Sequence, residues 1–262
     1  MKYFEETADR GAFSPDALLL ALFNELHGVD QEVRSKTISP SGLACQLSQA
    51  WKVLGVQPDK SAESFQSMSF AQCGEDRHAR IQAFLSTTPY WVDVEQYVKD
   101  KKLDLEVLAK EGYEVLLYSP KYNVRFRCDG MLHIDDTYYV LEIKTERQVA
   151  NDSRKEPADK HLKQGHTYAL LMGVDWIMWV YEGRDYLTQK PIAQRISKDD
   201  KKAIERYLLD IVQLKDTPEA LQTDKKACSG CEYKTFCREY FRMLKKGVRI
   251  DVNRTTDAGT PQ

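Results

Sequence analysis

An aspartate, a glutamate and a lysine stand in the pattern D-x12-E-x-K at Asp129, Glu142 and Lys144, within the stretch VRFRCDGMLHIDDTYYVLEIKT. Asp135 and Asp136 already supply the charges of a turn, so the other three sit among residues that read as buried. Acids in apolar surroundings cost free energy unless a metal or another cation meets them. Strand alternation puts Val140, Glu142 and Lys144 on one face and Leu141 and Ile143 on the other. The apolar pair can pack on the core, which turns Glu142 and Lys144 together into a cleft. The spacing predicts two strands, 122–129 and 137–144, folded at Asp135–Asp136 so that Asp129 comes beside Glu142. Converging carboxylates hold a hard divalent cation through oxygen, and a lysine nearby orients water or offsets negative charge. Metal-assisted phosphodiester hydrolysis needs that set of groups. The competing reading is an ion pair on an exposed strand face.

A second constellation is C228-S-G-C-E-Y-K-T-F-C237, a C-x2-C-x5-C pattern of Cys228, Cys231 and Cys237. A tetrahedral thiolate site needs a fourth ligand, and Cys45, Cys73 and Cys128 are the candidates. Spacing alone leaves zinc and an iron–sulfur cluster both open. Cys128 abuts Asp129 and reads as a small apolar packing residue. With no secretory signal in MKYFEETADR, a disulfide framework is not expected and the cytoplasm is the default location.

Several elements must position these groups. FSPDALLLALFNELHG reads as a helix with Ser14 as N-cap, Pro15 at N1 and Gly28 as a stop. SPSGLACQLSQAWKVLG (39–55) reads as a second helix, and GEDRHARIQAFLS (74–86) as a third with Ile81, Phe84 and Leu85 on its apolar side. A charged helical stretch over 93–111 leads into strands at 113–118, 122–129, 137–144, 174–182 and 186–193. KHLKQGHTYALLMG (160–173) has helical spacing, and SKDDKKAIERYLLDIVQL (197–214) opens on a Ser197/Asp200 capping box. RQVANDSRKEPADK (147–160) is unpatterned and reads as a flap or a solvated loop, and 250–262 as a frayed tail.

The central residues resemble the PD-(D/E)XK nuclease superfamily, and two flanking motifs sharpen the likeness. GEDRHARI (74–81) resembles the G-x-x-x-H-x-x-I helix that precedes the acids in RecB-type nucleases, where the histidine is a metal ligand; His78 matches it. Taken alone, His78 also reads as a satisfied histidine on a helix face. Gln164 and Tyr168 resemble the Q-x-x-x-Y helix that follows the acids, and at i, i+4 they share a face. The cysteines are similar to those of CRISPR-associated RecB-like exonucleases and the AddB nuclease domain. There, one upstream cysteine and a C-x2-C-x5-C triplet hold a [4Fe–4S] cluster. Cys45, Cys228, Cys231 and Cys237 are the matching residues, with Cys73 in reserve. The context of Cys45 departs from the family: A-C-Q-L here, C-P-R/Y in many relatives.

The resemblance implies an α/β fold with a restriction-endonuclease-like core. A mixed central sheet would be flanked by helices, and the metal cluster would join the N- and C-terminal helical parts. One nuclease domain over 1–250 is expected, with a helical part at about 1–112, a β-rich catalytic core at 113–195 and a cysteine-bearing helical part at 196–249. It also implies a site in which His78, Asp129, Glu142 and the Ile143 carbonyl bind Mn2+ or Mg2+, Lys144 places the attacking water, and Gln164 and Tyr168 support the site. The expected activity is DNA exonuclease, on single strands or free ends, with a recombination or CRISPR adaptation partner. An endonuclease of the same superfamily and a non-catalytic DNA-binding module are the alternatives. No apolar run is longer than ALLLALF (17–23), so no membrane span is expected. A formal charge of −2 argues against general nucleic-acid affinity, yet eight Lys/Arg against two Glu over 225–249 give a local +6. Such a face can grip a phosphate backbone or merely be a solvated helix face.

Overall fold

The computed structural model describes residues 35–59 and 65–248, together with Leu19. Apart from Leu19, the helix expected over 13–28 lies outside the described residues, as does the tail 250–262. In chain order the elements are α1 (Gln46–Val53), α2 (Phe65–Ser86), α3 (Val94–Asp100), β1 (Glu106–Glu111), β2 (Glu114–Ser119), β3 (Val124–Phe126), β4 (Gly130–Ile134) and β5 (Thr137–Glu146). They continue as α4 (Gln148–Ser153), α5 (Asp159–Leu171), β6 (Trp176–Gly183), β7 (Gln189–Arg195), α6 (Lys198–Leu214) and α7 (Lys234–Lys245).

The architecture is mixed α/β, consistent with a restriction-endonuclease-like core. An antiparallel sheet runs β1-β2-β3, and a mixed sheet runs β4-β5-β6-β7 with β5 and β6 parallel. Parallel neighbours need a long crossover, and α4 with α5 makes it. Alternation along β5 decides what each face meets. Leu141 and Ile143 pack with Ile81 of α2 and with Val180, while Val140 joins Tyr168, Ala169 and Met172 from α5 and its C-terminal end. The sheet is therefore covered by α2 on one side and α5 on the other. Close approach of α5 depends on Gly165, where a Cβ would overlap the Trp179 ring of β6.

Contact between the early and late helical parts joins an apolar cluster to a few hydrogen bonds. Trp51 of α1 meets Phe236 and Tyr240 of α7 with ring centroids 5.0 and 4.9 Å apart, and Leu47, Leu54 and Tyr233 complete the cluster. Each such aromatic contact contributes about 0.5–1.5 kcal/mol beyond area burial. The Asp59 carboxylate accepts from Thr235 N at 2.9 Å, and Gln46 Oε1 from Gln222 N at 2.8 Å.

Several expectations are corrected. The stretch 122–145 holds three strands, because the chain leaves the first sheet after Phe126 and enters the second at Gly130. Gly130 permits the switch: its φ is +155°, and the Trp91 ring occupies the space a side chain would need. The charged stretch 93–111 is a short helix followed by strand β1, which pairs with β2. Residues 39–55 form a 3-10 turn, Pro40–Gly42, and then α1 from Gln46, because Cys45 is extended at the N-cap. The third helix begins at Phe65, and Phe84 is exposed while Ile81 is buried. Residues 148–153, expected as flap or loop, are a docked helix: Gln148 and Asn151 reach the Thr188 hydroxyl at 2.6 and 2.9 Å. The capping box at Ser197 and Asp200 and the helix over 159–171 stand as expected.

Candidate active site

Glu142 lies at the middle of β5 and is 3% exposed. Its Oε1 meets Lys144 Nζ at 2.5 Å and accepts from Gln164 Nε2 of α5 at 2.7 Å. The same Gln164 group donates to the Tyr168 hydroxyl at 2.9 Å, and that hydroxyl donates to the Arg127 carbonyl at 2.8 Å. The i, i+4 pair on α5 therefore ties the glutamate to the strand end from which Asp129 leaves. Asp129 Oδ2 accepts from the Ile143 backbone N–H at 2.5 Å, and Oδ1 lies 3.3 Å from His78 Nδ1 of α2. The main chain of Asp129 is held as well, its carbonyl accepting from Gln82 Nε2 at 2.9 Å.

Charge explains why these groups are unusual for a fold interior. Burial, and after it the negative charge of Asp129, pushes the Glu142 carboxyl up to about 8, with Lys144 and His78 opposing. For His78 burial works against the charged imidazole, but the hydrogen bond and charge of Asp129, with the charge of Glu142, outweigh it. Its pKa is raised. Tyr168 is raised well above the usual phenol by burial and then by Glu142, so its hydroxyl stays neutral and serves as a donor. The Cys128 thiol, buried beside the acids, is pushed up to about 12 by burial and then by Asp129, and it packs in the core.

Asp129, Glu142, Gln164 and Tyr168 line a groove of about 390 Å³ that also reaches Ser39, Lys52 and Arg125. Among the described residues no group of three or more His, Cys, Asp and Glu side chains is gathered closely enough to hold a metal ion. The fit to a divalent cation rests instead on the donors and their charge. A buried carboxylate facing a second one is relieved by a cation; carboxylate oxygens suit Mg2+ or Mn2+, and one imidazole shifts the preference toward Mn2+.

The cysteines form a separate region. Cys45, Cys228 and Cys231 line a cavity of about 310 Å³ between the start of α1 and the 227–231 turn. Cys237 lies in the apolar cluster behind it. All six cysteines are free thiols. Burial is the largest influence raising Cys231 and Cys237, and the charges of Cys45 and Cys228 act on both, so the four cluster candidates are electrostatic neighbours. Cysteine sulfurs gathered at one cavity suit a soft metal centre, which would bind them as thiolates. Cys73 is exposed on α2 and Cys128 is buried in the core, so neither lines this cavity.

The sequence reading passed over Gln82 and Glu182. Gln82 lies four residues after His78 on α2, a spacing that could have marked it. Glu182 closes the apolar run WIMWVYE as a buried acid, the same signal that marked Glu142. It accepts from Arg77 at 3.5 Å, from Arg80 and from Gln189 at 2.9 Å, which fixes α2, and with it His78, onto the sheet.

No protein-family model matches the sequence, and no curated protein matches it. Among solved structures the chain is similar to SSO0001, with 19% identity, a TM-score of 0.45, and coverage of 84% of this chain and 94% of that one. It is also similar to an alkaline exonuclease (LHK-Exo) from Laribacter hongkongensis, with 15% identity, a TM-score of 0.44, and 70% and 90% of the two chains covered. The complex of LHK-Exo with dAMP matches over the same shares, at 16% identity and a TM-score of 0.44.

Proposed function

We propose that this protein is a metal-dependent DNA exonuclease of the PD-(D/E)XK type that hydrolyses phosphodiester bonds, RecB-like, with a structural [4Fe–4S] cluster. Recombination, repair or CRISPR adaptation is the setting in which it would act. One observation carries the reading: Glu142, buried beside Asp129 and driven up to about 8, pairs with Lys144 and shares a groove with Asp129 and the Gln164–Tyr168 pair. Holding two acids together in a fold interior is costly, and cleavage of a phosphate ester gives that arrangement a use.

His78, Asp129, Glu142 and the Ile143 carbonyl would hold Mn2+ or Mg2+. Bound there, such an ion supplies charge neutralisation at the phosphate and a water of lowered pKa. The chain's own residues do the rest. Lys144 holds Glu142 Oε1 and presents an ammonium where negative charge gathers, orienting the attacking water. Gln164 fixes the rotamer of Glu142, and Tyr168 fixes Gln164 through its bond to the Arg127 carbonyl. Asp129, held through both its carbonyl and Oδ2, keeps its remaining oxygen toward His78.

Cys45, Cys228, Cys231 and Cys237 would hold the cluster, reinforcing a junction that Trp51 and Tyr240 already close. Iron and acid-labile sulfide in the anaerobically purified protein, both lost in Cys45→Ser, is the expected result; a colourless zinc protein overturns the iron assignment. For the chemistry, end-labelled DNA with open or blocked ends is incubated with Mn2+. Open ends are expected to be shortened stepwise and blocked ends spared, with the shortening lost in Asp129→Ala. Cutting of end-blocked DNA would make the protein an endonuclease. Binding of DNA without any cleavage would make it a module without chemistry.

A further inference from the structure

The groove does not end at the acids. Beyond Gln164 and Tyr168 it runs along the Pro40–Gly42 turn to two cations, Lys52 of α1 and Arg125 of β3, and to the hydroxyls of Ser39 and Ser41. We infer that Lys52, Arg125, Ser39 and Ser41 form a subsite for a DNA phosphate adjoining the one that is cleaved. The inference rests on the nuclease reading for its neighbour, and on this wall of the groove for itself.

Three features make the wall a built one. First, Gln49, buried in α1, braces the turn from behind: its Oε1 accepts from Ser39 N at 2.9 Å and its Nε2 donates to the Gly42 carbonyl at 3.1 Å. Gly42 is needed for this, because a Cβ there would overlap the Gln49 amide. Second, the incoming chain is tied to β3, with Ile38 N donating to the Asn123 carbonyl at 2.8 Å and Arg125 N to the Ile38 carbonyl at 3.0 Å. The backbones that carry Ser39 and Arg125 are thus held edge to edge. Third, Lys52 Nζ donates to Ser39 Oγ, so an ammonium and a hydroxyl are presented together.

The charges fit an anion. Among the described residues no carboxylate forms an ion pair with Arg125, whereas Arg127 on the same strand end is engaged by Glu111 at 3.0 Å. Ammonium, guanidinium and hydroxyl donors are the groups that fix a phosphate without reading a base. At about 390 Å³ the groove falls in the ~300–1,000 Å³ range of small-molecule sites. The phosphate is either a diester within the strand or a monoester at its end.

The test measures binding of the full-length protein to a short fluorescein-labelled oligothymidylate, without divalent cation, over a series of salt concentrations. Lys52→Gln and Arg125→Gln are each expected to weaken binding about tenfold, as loss of a charged hydrogen bond implies. Each should also lower the slope of log affinity against log salt by about 0.7, the value for one phosphate contact on a single strand. Lys52→Arg should restore both, a result that mere disturbance of the fold would not give. Wild-type affinity and slope in both glutamine variants would overturn the subsite. Probes with a phosphorylated or a hydroxyl end identify the phosphate. If the preference for a phosphorylated end disappears in Lys52→Gln, it is the end monoester; if affinity falls equally for both probes, it is an internal diester. Wild-type cleavage in Mn2+ is scored on the same preparation. Wild-type binding in both glutamine variants together with cleavage by the wild-type protein strikes the subsite and keeps the nuclease reading, while Lys52-dependent binding without any cleavage removes the nuclease reading and keeps the subsite.

Discussion

Glu142 and Glu182 are buried acids on neighbouring parallel strands, and they face opposite ways. Glu182, 0% exposed, points to the α2 side, where Arg77, Arg80 and Gln189 surround it. Glu142 points to the α5 side, where it has Lys144 and Gln164 as partners but a second carboxylate as a neighbour. The first arrangement is complete: cations on a helix meet an acid on a strand, and the two elements are locked. The second crowds two carboxyl groups together, so that Glu142 keeps its proton up to about pH 8. Burial alone therefore does not distinguish the two acids; their charged surroundings separate a clamp from the proposed site.

The contrast can be broken most severely at the chemistry. Glu142→Ala or Asp129→Ala is expected to abolish cleavage of labelled DNA while circular dichroism and thermal unfolding show a folded protein. Full activity in either variant removes the proposed site. The opposite pattern is expected at the clamp. Glu182→Gln leaves two guanidinium groups without their carboxylate and should cost about 3 kcal/mol of stability, read by denaturant unfolding. Arg80 is half exposed, so most of that loss is expected to come from Arg77.

The next effect concerns pH and ion binding. With Glu142 pushed up to about 8, a divalent ion must displace a proton below that value. Mn2+ affinity, measured by calorimetry, should therefore fall by about tenfold per unit as pH drops below 8, and more steeply once His78 is protonated as well, with proton release on binding. It should level off above 8. A flat profile between pH 6 and 8 would place the proton elsewhere.

The smallest effect is a gain. Glu142 is raised from 4.5 in the unfolded chain, so the folded protein binds the extra proton between about pH 4.5 and 8 and loses stability as pH rises through that window. Glu142→Gln removes the ionisable group while keeping an acceptor for Gln164. The metal-free variant is expected to be at least about 1 kcal/mol more stable than wild type above pH 8, and no more stable at pH 4.5. Equal stability at both pH values would mean that Lys144 fully offsets the charge.

Much of the frame was legible because its signals are local. Alternation over 140–144 separated Glu142 and Lys144 from Leu141 and Ile143, and both faces are as the alternation requires. The i, i+4 spacing of Gln164 and Tyr168 correctly placed both on one helix face. Other elements were misread where a local pattern met a non-local demand. Residues 106–111 carry charges at helix-like density, yet pairing with β2 makes them a strand. Phe84 looked like core, but the sheet lies under the Ile81 side of α2 and leaves Phe84 exposed.

From the sequence alone came the acids, the helix that braces them, the capping box of α6 and the grouping of Cys228, Cys231 and Cys237. Each follows from periodicity, capping or spacing within one segment. Only the tertiary structure decided that Asp129 sits where the chain passes between two sheets. It also decided that Glu182 clamps the His78 helix, that Cys45 shares a cavity with the late cysteines, and that Lys52 and Arg125 extend the acid groove. Those juxtapositions join residues far apart in the chain. They are set by which faces must be buried together and by how closely α5 can approach the sheet over Gly165, quantities that no single segment contains.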